Sequence, residues 1–147
     1  MNENMISSTQ NVRVKRLLVL QQKSSERRRT GRFVVEGHRE LSRCIAAGLE
    51  VEEVYCCPQL CLEPLSAHGA QTFEVTPAVY ERIAYRGSTE GVVAVVRQRS
   101  LALSDLSLGE TPLLVVLESV EKPGNLGAVM RSADAAKADA VIVCDPL

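Results

Sequence analysis

The segment PLLVVLESVEKPGNLGAVMRSADAAKADAVIVCD, residues 112–145, contains the pattern that decides the fold class. Its first part, PLLVVLE (112–118), is an unbroken apolar run and predicts a fully buried strand. A Pro-Gly-Asn turn at 123–125 and an alanine-rich stretch follow, and they predict a helix over 126–136. A second apolar run, DAVIVCD (139–145), predicts another strand. The segment is therefore expected to form one β-α-β unit, which is the building block of parallel sheets.

The sequence before residue 100 alternates between strand and helix patterns. Strands are predicted for FVVEG, VEEVYCC, QTFEVT and GVVAVVRQ, at residues 33–37, 51–57, 71–76 and 91–98. Helices are predicted over residues 8–23, 38–48 and 77–85, and a short helix or irregular connection over 58–69, where Pro64 prevents a long helix. This alternation indicates an α/β fold with a parallel or mixed sheet flanked by helices. The continuous apolar run at 91–98 indicates a central strand.

The stretch RSLALSDLSLGET, residues 99–111, interrupts this alternation because it is rich in Ser and Leu without a clean period. We therefore predict one domain over residues 1–100, a linker over 101–111 and the start of a second domain over 112–147. A β-α-β unit of about 35 residues cannot bury its own core. The second domain is expected to be part of a fragment, to dock on the first domain, or to dock on another copy.

The charge of the chain is distributed unevenly. Residues 1–43 contain ten Lys/Arg and four Glu, a net charge of +6, whereas residues 44–147 contain seven Lys/Arg and fourteen Asp/Glu, a net charge of −7. A basic N-terminal part is a candidate for binding an anionic polymer, and a solvated helix face is the alternative. The segment SSERRRTGRF, residues 24–33, is predicted to be a mobile loop. Its arginines are candidates for binding the phosphates of such a polymer: Arg27, Arg28, Arg29 and Arg32.

Composition argues against a membrane protein and against a metal site. No apolar run approaches the roughly 20 residues of a membrane span, and the N-terminus lacks the apolar stretch of a secretory signal, so we expect a cytoplasmic protein. The five Cys are an odd count and are expected to be free thiols. Zinc binding by Cys56, Cys57 and Cys61 with His68 is considered but not predicted, because the spacing matches no zinc ligand pattern.

The turn at 123–125 is the candidate functional site. It follows strand 112–118, and ligands of open α/β sheets bind beyond the carboxyl ends of strands. Gly124 tolerates an unusual φ, Asn125 can cap the helix, and the free N–H groups of a helix N-terminus favour an anion.

Two residues of the predicted helix extend this site. Gly127 lets another backbone or a ligand come close, and Arg131, four residues later, shares its face and can grip a phosphate or a ribose oxygen. The alternative remains open that Arg131 forms an ordinary ion pair with Asp134 or Glu121 and that Gly127 only serves packing.

The pattern of strand, acidic residue, Pro-Gly-Asn turn and Asn-x-Gly-Ala-x-x-Arg-x-Ala resembles the first motif region of the SpoU-type RNA 2′-O-ribose methyltransferases of the SPOUT superfamily. In this sequence the motif residues are Asn125, Gly127, Ala128, Arg131 and Ala133. Upstream, FVVEG (33–37) and TEGVVAVVR (89–97) are similar to the small ribosomal-protein-like substrate-binding domain of many members. The resemblance covers roughly residues 8–147.

The resemblance implies a small α/β/α substrate-binding domain followed by the first β-α-β part of a SPOUT (α/β knot) domain, with the knot region missing. It implies transfer of a methyl group from S-adenosylmethionine to a ribose 2′-OH in rRNA or tRNA, with rRNA favoured by the domain arrangement, and a homodimer in the full-length protein. Asn125 and Arg131 are the implied catalytic residues, Glu118 at the strand end is a further candidate or a structural cap, and Gly127 contributes to substrate binding. The family's later motifs, which bind the donor, have no match here, so no residue is assigned to S-adenosylmethionine.

Two other functions compete with this one. The chain could be a non-catalytic RNA-binding module or fragment. It could also be a different α/β enzyme that binds a nucleotide phosphate at the 123–125 turn, although that turn lacks the G-x-G-x-x-G and G-x-x-x-x-G-K-[ST] spacings.

Overall fold

The computed structural model describes residues 4–61, 67–85, 90–99 and 101–145. The chain divides into two compact units, residues 1–100 and residues 101–147. Pro64, on which the predicted break in the 58–69 connection depends, lies outside the described residues, as does Thr89 at the start of TEGVVAVVR.

The described residues of the first unit form a five-stranded mixed sheet with four helices. Its strands are β1 (Met5–Ile6), β2 (Arg32–Glu36), β3 (Val51–Cys56), β4 (Gln71–Val75) and β5 (Val92–Arg97). Its helices are α1 (Val12–Gln22), α2 (Ser24–Thr30), α3 (His38–Ala46) and α4 (Pro77–Ile83). The strand order is β1-β4-β3-β5-β2, with β4 parallel to β1 and β3 and with β5 antiparallel to β2 and β3. The predicted mixed α/β fold is confirmed.

Strand β5 is apolar throughout because both of its faces are covered. Val93 and Val95 belong to the hydrophobic cluster on one side of the sheet, and Val92, Ala94 and Val96 belong to the cluster on the other side. This alternation is the two-residue period of a strand. The predicted interior position is correct, but β3 rather than β5 is the middle strand.

The helices cover opposite faces of this sheet. Val14 and Leu17 of α1 join Val79 of α4 in the cluster that contains Val93. Leu41 of α3 is fully buried in the cluster on the opposite face. The first unit is therefore a three-layer α/β/α arrangement.

The prediction of a mobile loop over residues 24–33 is wrong, because Ser24–Thr30 forms α2 and β2 begins at Arg32. Arginine has a high helix propensity, so the basic run is itself helix-compatible. Gly31 ends the helix in the left-handed region at φ 63°, where its N–H donates to the Arg27 carbonyl. The side chain of Arg27 fixes α2 to α1, since its Nη1 lies 2.9 Å from the carbonyl oxygens of both Leu20 and Gln21.

The N-terminal boundary also differs from the prediction. Helix α1 begins at Val12 rather than at residue 8, because the Asn11 side chain accepts from the Arg13 N–H and caps the helix there. The short strand β1, which the sequence did not predict, pairs with β4 and buries Ile6.

The second unit contains the predicted β-α-β motif. Strands β6 (Leu114–Glu118) and β7 (Ala140–Cys144) are parallel and are connected by α5 (Pro123–Ala135), while a single 3-10 turn covers Leu103–Asp105. The helix begins three residues earlier than predicted. Pro123 is its first residue and Lys122 its N-cap, so Asn125 lies inside the first turn and the prediction that it caps the helix is wrong. Proline has no N–H and a helical φ, which suits it to this first position.

The prediction that β6 is fully buried is wrong for this chain. Leu114 is 39% exposed and Val116 is 61% exposed, whereas Val115 and Leu117 are half-buried. The sheet of the second unit has two strands, and the half-buried stripe of α5, at Leu126 and Val129, can cover only one of its faces. The second apolar face is thus left open.

None of the helices in the described part of the chain is both long enough and apolar enough to cross a membrane.

Replacing Arg27 by Ala is expected to lower the free energy of unfolding by about 1–3 kcal/mol, because two charge-assisted hydrogen bonds at the end of α1 are lost. Urea unfolding of the 147-residue chain measures this. The matched control is Arg28→Ala, which removes an exposed arginine of the same helix and should change stability by no more than about 0.5 kcal/mol. Equal effects of the two substitutions would contradict the assigned role of Arg27.

Candidate functional site

The candidate site is built on the first two turns of α5, at the carboxyl end of β6. The chain leaves β6 at Glu118, which is exposed, and Ser119 then adopts a φ of 52°. The Ser119 N–H donates to the Cys144 carbonyl at 3.1 Å, which ties this exit to the end of β7. The helix therefore begins beside the carboxyl edge of both strands, where α/β sheets place their ligands.

Arg131 extends back along α5 over Gly127. A Cβ added to Gly127 would lie 3.5 Å from the Arg131 Nη1, so the guanidinium lies against the helix surface that glycine leaves bare. Side chains on a helix point toward its N-terminus, and this direction explains the contact between residues four apart. The predicted shared face of Gly127 and Arg131 is present.

The alternative of an ordinary ion pair for Arg131 finds no support in the geometry. The Arg131 guanidinium makes no hydrogen bond or ion pair with any residue in 101–145, and therefore none with Asp134 or Glu121. Arg131 is exposed. It therefore presents five N–H donors in a planar fork to solvent, which is the geometry that phosphate and carboxylate oxygens accept.

Asn125 lies six residues before Arg131 on the same helix. Its backbone N–H donates to the Lys122 carbonyl at 2.9 Å, while its side chain is exposed and makes no hydrogen bond to any residue in the described ranges. Asn125, Ala128 and Arg131 follow one another at intervals of three, so they form a ridge along the helix. The short side chain of Ala128 leaves space between the two polar groups.

Three of the four predicted RNA-binding arginines in residues 27–32 have partners within the first unit. Arg27 holds the end of α1, Arg29 pairs with Glu26 at 2.5 Å, and Arg32 pairs with Glu52 at 2.5 Å. Arg28 is exposed and, within the described ranges, has no hydrogen-bonding partner. The four arginines therefore differ in their availability to a ligand, because only Arg28 has no partner within the described ranges.

The partner carboxylates respond to these arginines. A hydrogen bond from Arg29 lowers the pKa of Glu26, and one from Arg32, reinforced by Arg97, lowers the pKa of Glu52. Glu52 of β3 thus links Arg32 of β2 with Arg97 of β5, whose Nη2 lies 2.6 Å from the Glu52 carboxylate. These pairs organise the sheet edge rather than an empty binding site.

The cysteines do not form a second site. All five are free thiols, and the residues that the structure describes contain no group of three or more His, Cys, Asp or Glu side chains placed to hold a metal. Burial, followed by a hydrogen bond with Cys61, raises the pKa of the Cys56 thiol to about 12. A thiol with so high a pKa is a poor nucleophile near neutral pH.

Two family models match the chain in its two units. Residues 11–94 match the MRM3-like substrate binding domain, and residues 112–147 match the SpoU rRNA Methylase family. The first model covers more than half of the chain, so the chain belongs to the family of MRM3-like substrate binding domains, and its residues 112–147 resemble the SpoU rRNA methylases. The second match includes β6 and α5, and therefore the Asn125–Arg131 ridge described above.

Individual SpoU relatives agree with this assignment. The chain is 37% identical over 87 residues to the 23S rRNA (guanosine-2′-O-)-methyltransferase RlmB of Vibrio parahaemolyticus, covering 56% of the chain and 35% of the relative. It is 25% identical over 140 residues to the 23S rRNA (guanosine(2553)-2′-O)-methyltransferase RlmP of Bacillus subtilis, covering 95% and 54%. An AdoMet-bound rRNA methyltransferase from Sinorhizobium meliloti superposes with a TM-score of 0.80 at 29% identity, covering 95% and 53%. The chain spans about a third to a half of the length of these relatives.

Replacing Gly127 by Ala is expected to raise the free energy of unfolding by up to about 1 kcal/mol, because the added Cβ meets Arg131 at an ordinary contact distance and a helical glycine is replaced. Thermal or urea unfolding measures this. Gly124→Ala on the same helix, where a Cβ meets nothing within 4 Å, is the matched control for the backbone effect. A clear loss of stability in Gly127→Ala, but not in Gly124→Ala, would contradict this prediction and would show that the added methyl group clashes with its surroundings.

Proposed function

We propose that this chain is part of an RNA 2′-O-ribose methyltransferase that acts on rRNA, with residues 1–100 as the RNA-binding domain, 101–111 as a linker and 112–147 as the start of the catalytic domain. The observation that carries the proposal is the guanidinium of Arg131, which has no partner within residues 101–145 and lies against Gly127 on α5. Free N–H donors in a planar fork suit a phosphate-bearing substrate.

Arg131 acts electrostatically in this proposal. A guanidinium has a pKa above about 12 and does not serve as a base at neutral pH. Its N–H groups instead hold the phosphate next to the target ribose and stabilise negative charge as it develops on the 2′-oxygen. A fixed position relative to the ribose also reduces the entropic cost of aligning the oxygen for attack.

Asn125 acts beside Arg131. Its amide has both donors and an acceptor free, so it can bond the ribose or orient the guanidinium across the short Ala128 side chain. Gly127 lets the RNA backbone approach the helix within contact distance. In this proposal α5 therefore binds and orients the ribose through Asn125, Gly127 and Arg131.

The methyl donor of the proposed reaction is S-adenosylmethionine, which is bound in a solved SpoU relative. Residues 101–145 do not fit this donor by themselves. They form a two-stranded sheet with one helix, and Leu114 and Val116 of β6 face solvent rather than a closed pocket. We therefore assign no residue of this chain to donor binding.

A non-catalytic RNA-binding module is the second candidate function. It is favoured by the match of residues 11–94 to a substrate-binding domain, combined with the open β-α-β unit in the second half of the chain. Both candidate functions include RNA binding, and they differ in whether methyl transfer takes place at the Arg131 site.

Three properties remain predictions of the family resemblance. The substrate is expected to be rRNA rather than tRNA, which agrees with the names of the relatives. A homodimer of the full-length protein and a cytoplasmic location are also expected.

Replacing Arg131 by Ala in a complete enzyme that contains this chain is expected to reduce the rate of methyl transfer by at least about 10²–10³-fold, because one preorganised set of donors is removed. RNA affinity should change little, since one cation among many is lost. Methyl transfer from labelled S-adenosylmethionine to 23S rRNA measures the rate. Lys137→Ala removes an exposed cation of the same unit and serves as the control. A near wild-type rate in Arg131→Ala would remove Arg131 from the mechanism.

Calorimetric titration of S-adenosylmethionine into the purified 147-residue chain is expected to give no binding heat at millimolar ligand, because residues 101–145 do not enclose a nucleoside. Circular dichroism establishes that the sample is folded, and a complete SpoU enzyme serves as the positive control. Stoichiometric binding by the chain would contradict the proposal and would show that the second unit forms a donor site as it stands.

A further inference from the structure

The positive charge of the N-terminal part is concentrated on two adjacent helices. Residues 12–30, which cover α1 and α2, contain seven Lys/Arg and one Glu, a net charge of +6. This equals the net charge of the whole segment 1–43, in which the other three Lys/Arg are balanced by three Glu. The basic character of the first unit is therefore a property of this helix pair.

Three of these seven cations are engaged within the protein. Arg13 pairs with Glu53 at 2.8 Å and stacks on the Phe73 ring, with its guanidinium carbon 4.4 Å from the ring centroid. Arg29 pairs with Glu26, and Arg27 donates to the carbonyls at the end of α1. These side chains have structural partners that an RNA phosphate would have to displace.

The other four cations are exposed, and none makes a hydrogen bond or ion pair with any residue in the described ranges: Lys15, Arg16, Lys23 and Arg28. Lys15 lies on the side of α1 opposite the buried Leu17, Arg16 lies next to that side, and Lys23 immediately follows the helix. Lys15 and Arg16 precede Lys23 by eight and seven residues, a rise of roughly 11 Å along the helix axis. The four cations thus lie on the solvent side of the helix pair.

Two cations of the helix pair lie near its one carboxylate. The pKa of Glu26 is lowered chiefly by its hydrogen bond with Arg29, with smaller contributions from the charges of Lys23 and Arg16. Lys15, Arg16 and Glu26 also line one groove of about 300 Å³, together with Glu52 and Glu53. These three carboxylates pair with Arg29, Arg32 and Arg13, and none of them pairs with the four exposed cations.

The surface between these cations favours a phosphate chain over a membrane. The apolar side chains exposed among them are only Val12 and Val19, at 71% and 37% exposure, whereas Leu17 and Leu20 are buried in the core. A membrane-surface helix would instead expose large apolar side chains such as Leu, Phe or Trp. The helix pair also contains no aromatic residue on which a base could stack.

We propose that Lys15, Arg16, Lys23 and Arg28 form the surface by which the first unit binds the sugar-phosphate backbone of structured RNA, independently of base sequence. This surface differs from the set Arg27, Arg28, Arg29 and Arg32 predicted from the sequence, and shares Arg28 with it. The proposal depends on the proposed function for the identity of the partner as RNA. Arg27 holds α2 against α1, Arg29 pairs within α2, and the four exposed cations neutralise phosphates.

The test compares matched double variants of the 147-residue chain. Lys15→Gln/Arg16→Gln and Lys23→Gln/Arg28→Gln each remove two of the four cations while glutamine keeps a similar helix propensity. Arg43→Gln/Arg82→Gln removes two exposed cations of the same unit outside α1 and α2, neither of which has a partner within the described ranges. The probe is transcribed 23S rRNA, bound by filter retention over a range of salt concentrations, with circular dichroism to check folding.

The first two variants are expected to bind more weakly and to lose about 2 from the slope of log affinity against log salt, at about 1 per phosphate contact. The third variant should keep the slope of the unmodified chain. Unchanged slopes in the first two variants, with RNA bound by the unmodified chain, would overturn this surface and leave the proposed function intact. A chain that binds no RNA at low salt but binds anionic lipid vesicles would overturn both the surface's partner and the proposed RNA substrate.

Discussion

The insertion of β5 between β2 and β3 is the constraint on which the first unit depends. Because β5 has hydrogen-bonding partners on both sides and helices over both faces, each of its residues Val92–Val96 must be apolar, and each is assigned to one face by the strand period. A shift of one residue would exchange the two faces and move Val93 and Val95 away from α1 and α4. The position of α1, and with it the basic surface of the helix pair, therefore follows from the register of one strand.

The same sheet determines which arginines remain free. Arg13 and Arg32 carry the same charge as Lys15 and Arg28 and lie near them in the sequence. Only Arg13 and Arg32 pair with carboxylates, because Glu53 and Glu52 of β3 lie next to them. Partly buried pairs of this kind fix local geometry, and breaking one leaves a charge without its partner. A run of like charges in a sequence thus contains two populations. Long-range strand pairing decides which of these charges meet a carboxylate, and composition alone does not reveal it.

Sequence patterns predicted the elements with strong periods and failed where local signals were compatible with two structures. The alternation around 33–98 and the β-α-β order of 112–145 indicated the mixed α/β fold, and the four-residue spacing placed Gly127 under Arg131. The Pro-Gly-Asn sequence suits either a turn or the first turn of a helix, and the latter is observed because Pro123 occupies the first helical position. The polar and basic run in 24–33 with its glycine predicts a loop, although the intrinsic propensity of arginine is helical and Gly31 supplies the stop.

The chemistry assigned to Arg131 requires more rigidity than the described second unit provides. A guanidinium stabilises a developing charge only when its position is fixed before the reaction, and that position depends on the packing of the helix that holds it. Only Ala133 of α5 is buried, and the strand beneath the helix leaves Val116 mostly exposed. Covering the open face of β6 and β7 would therefore bury its apolar side chains and would also fix the direction of the Arg131 guanidinium. Stability and catalysis are then coupled through the same apolar surface.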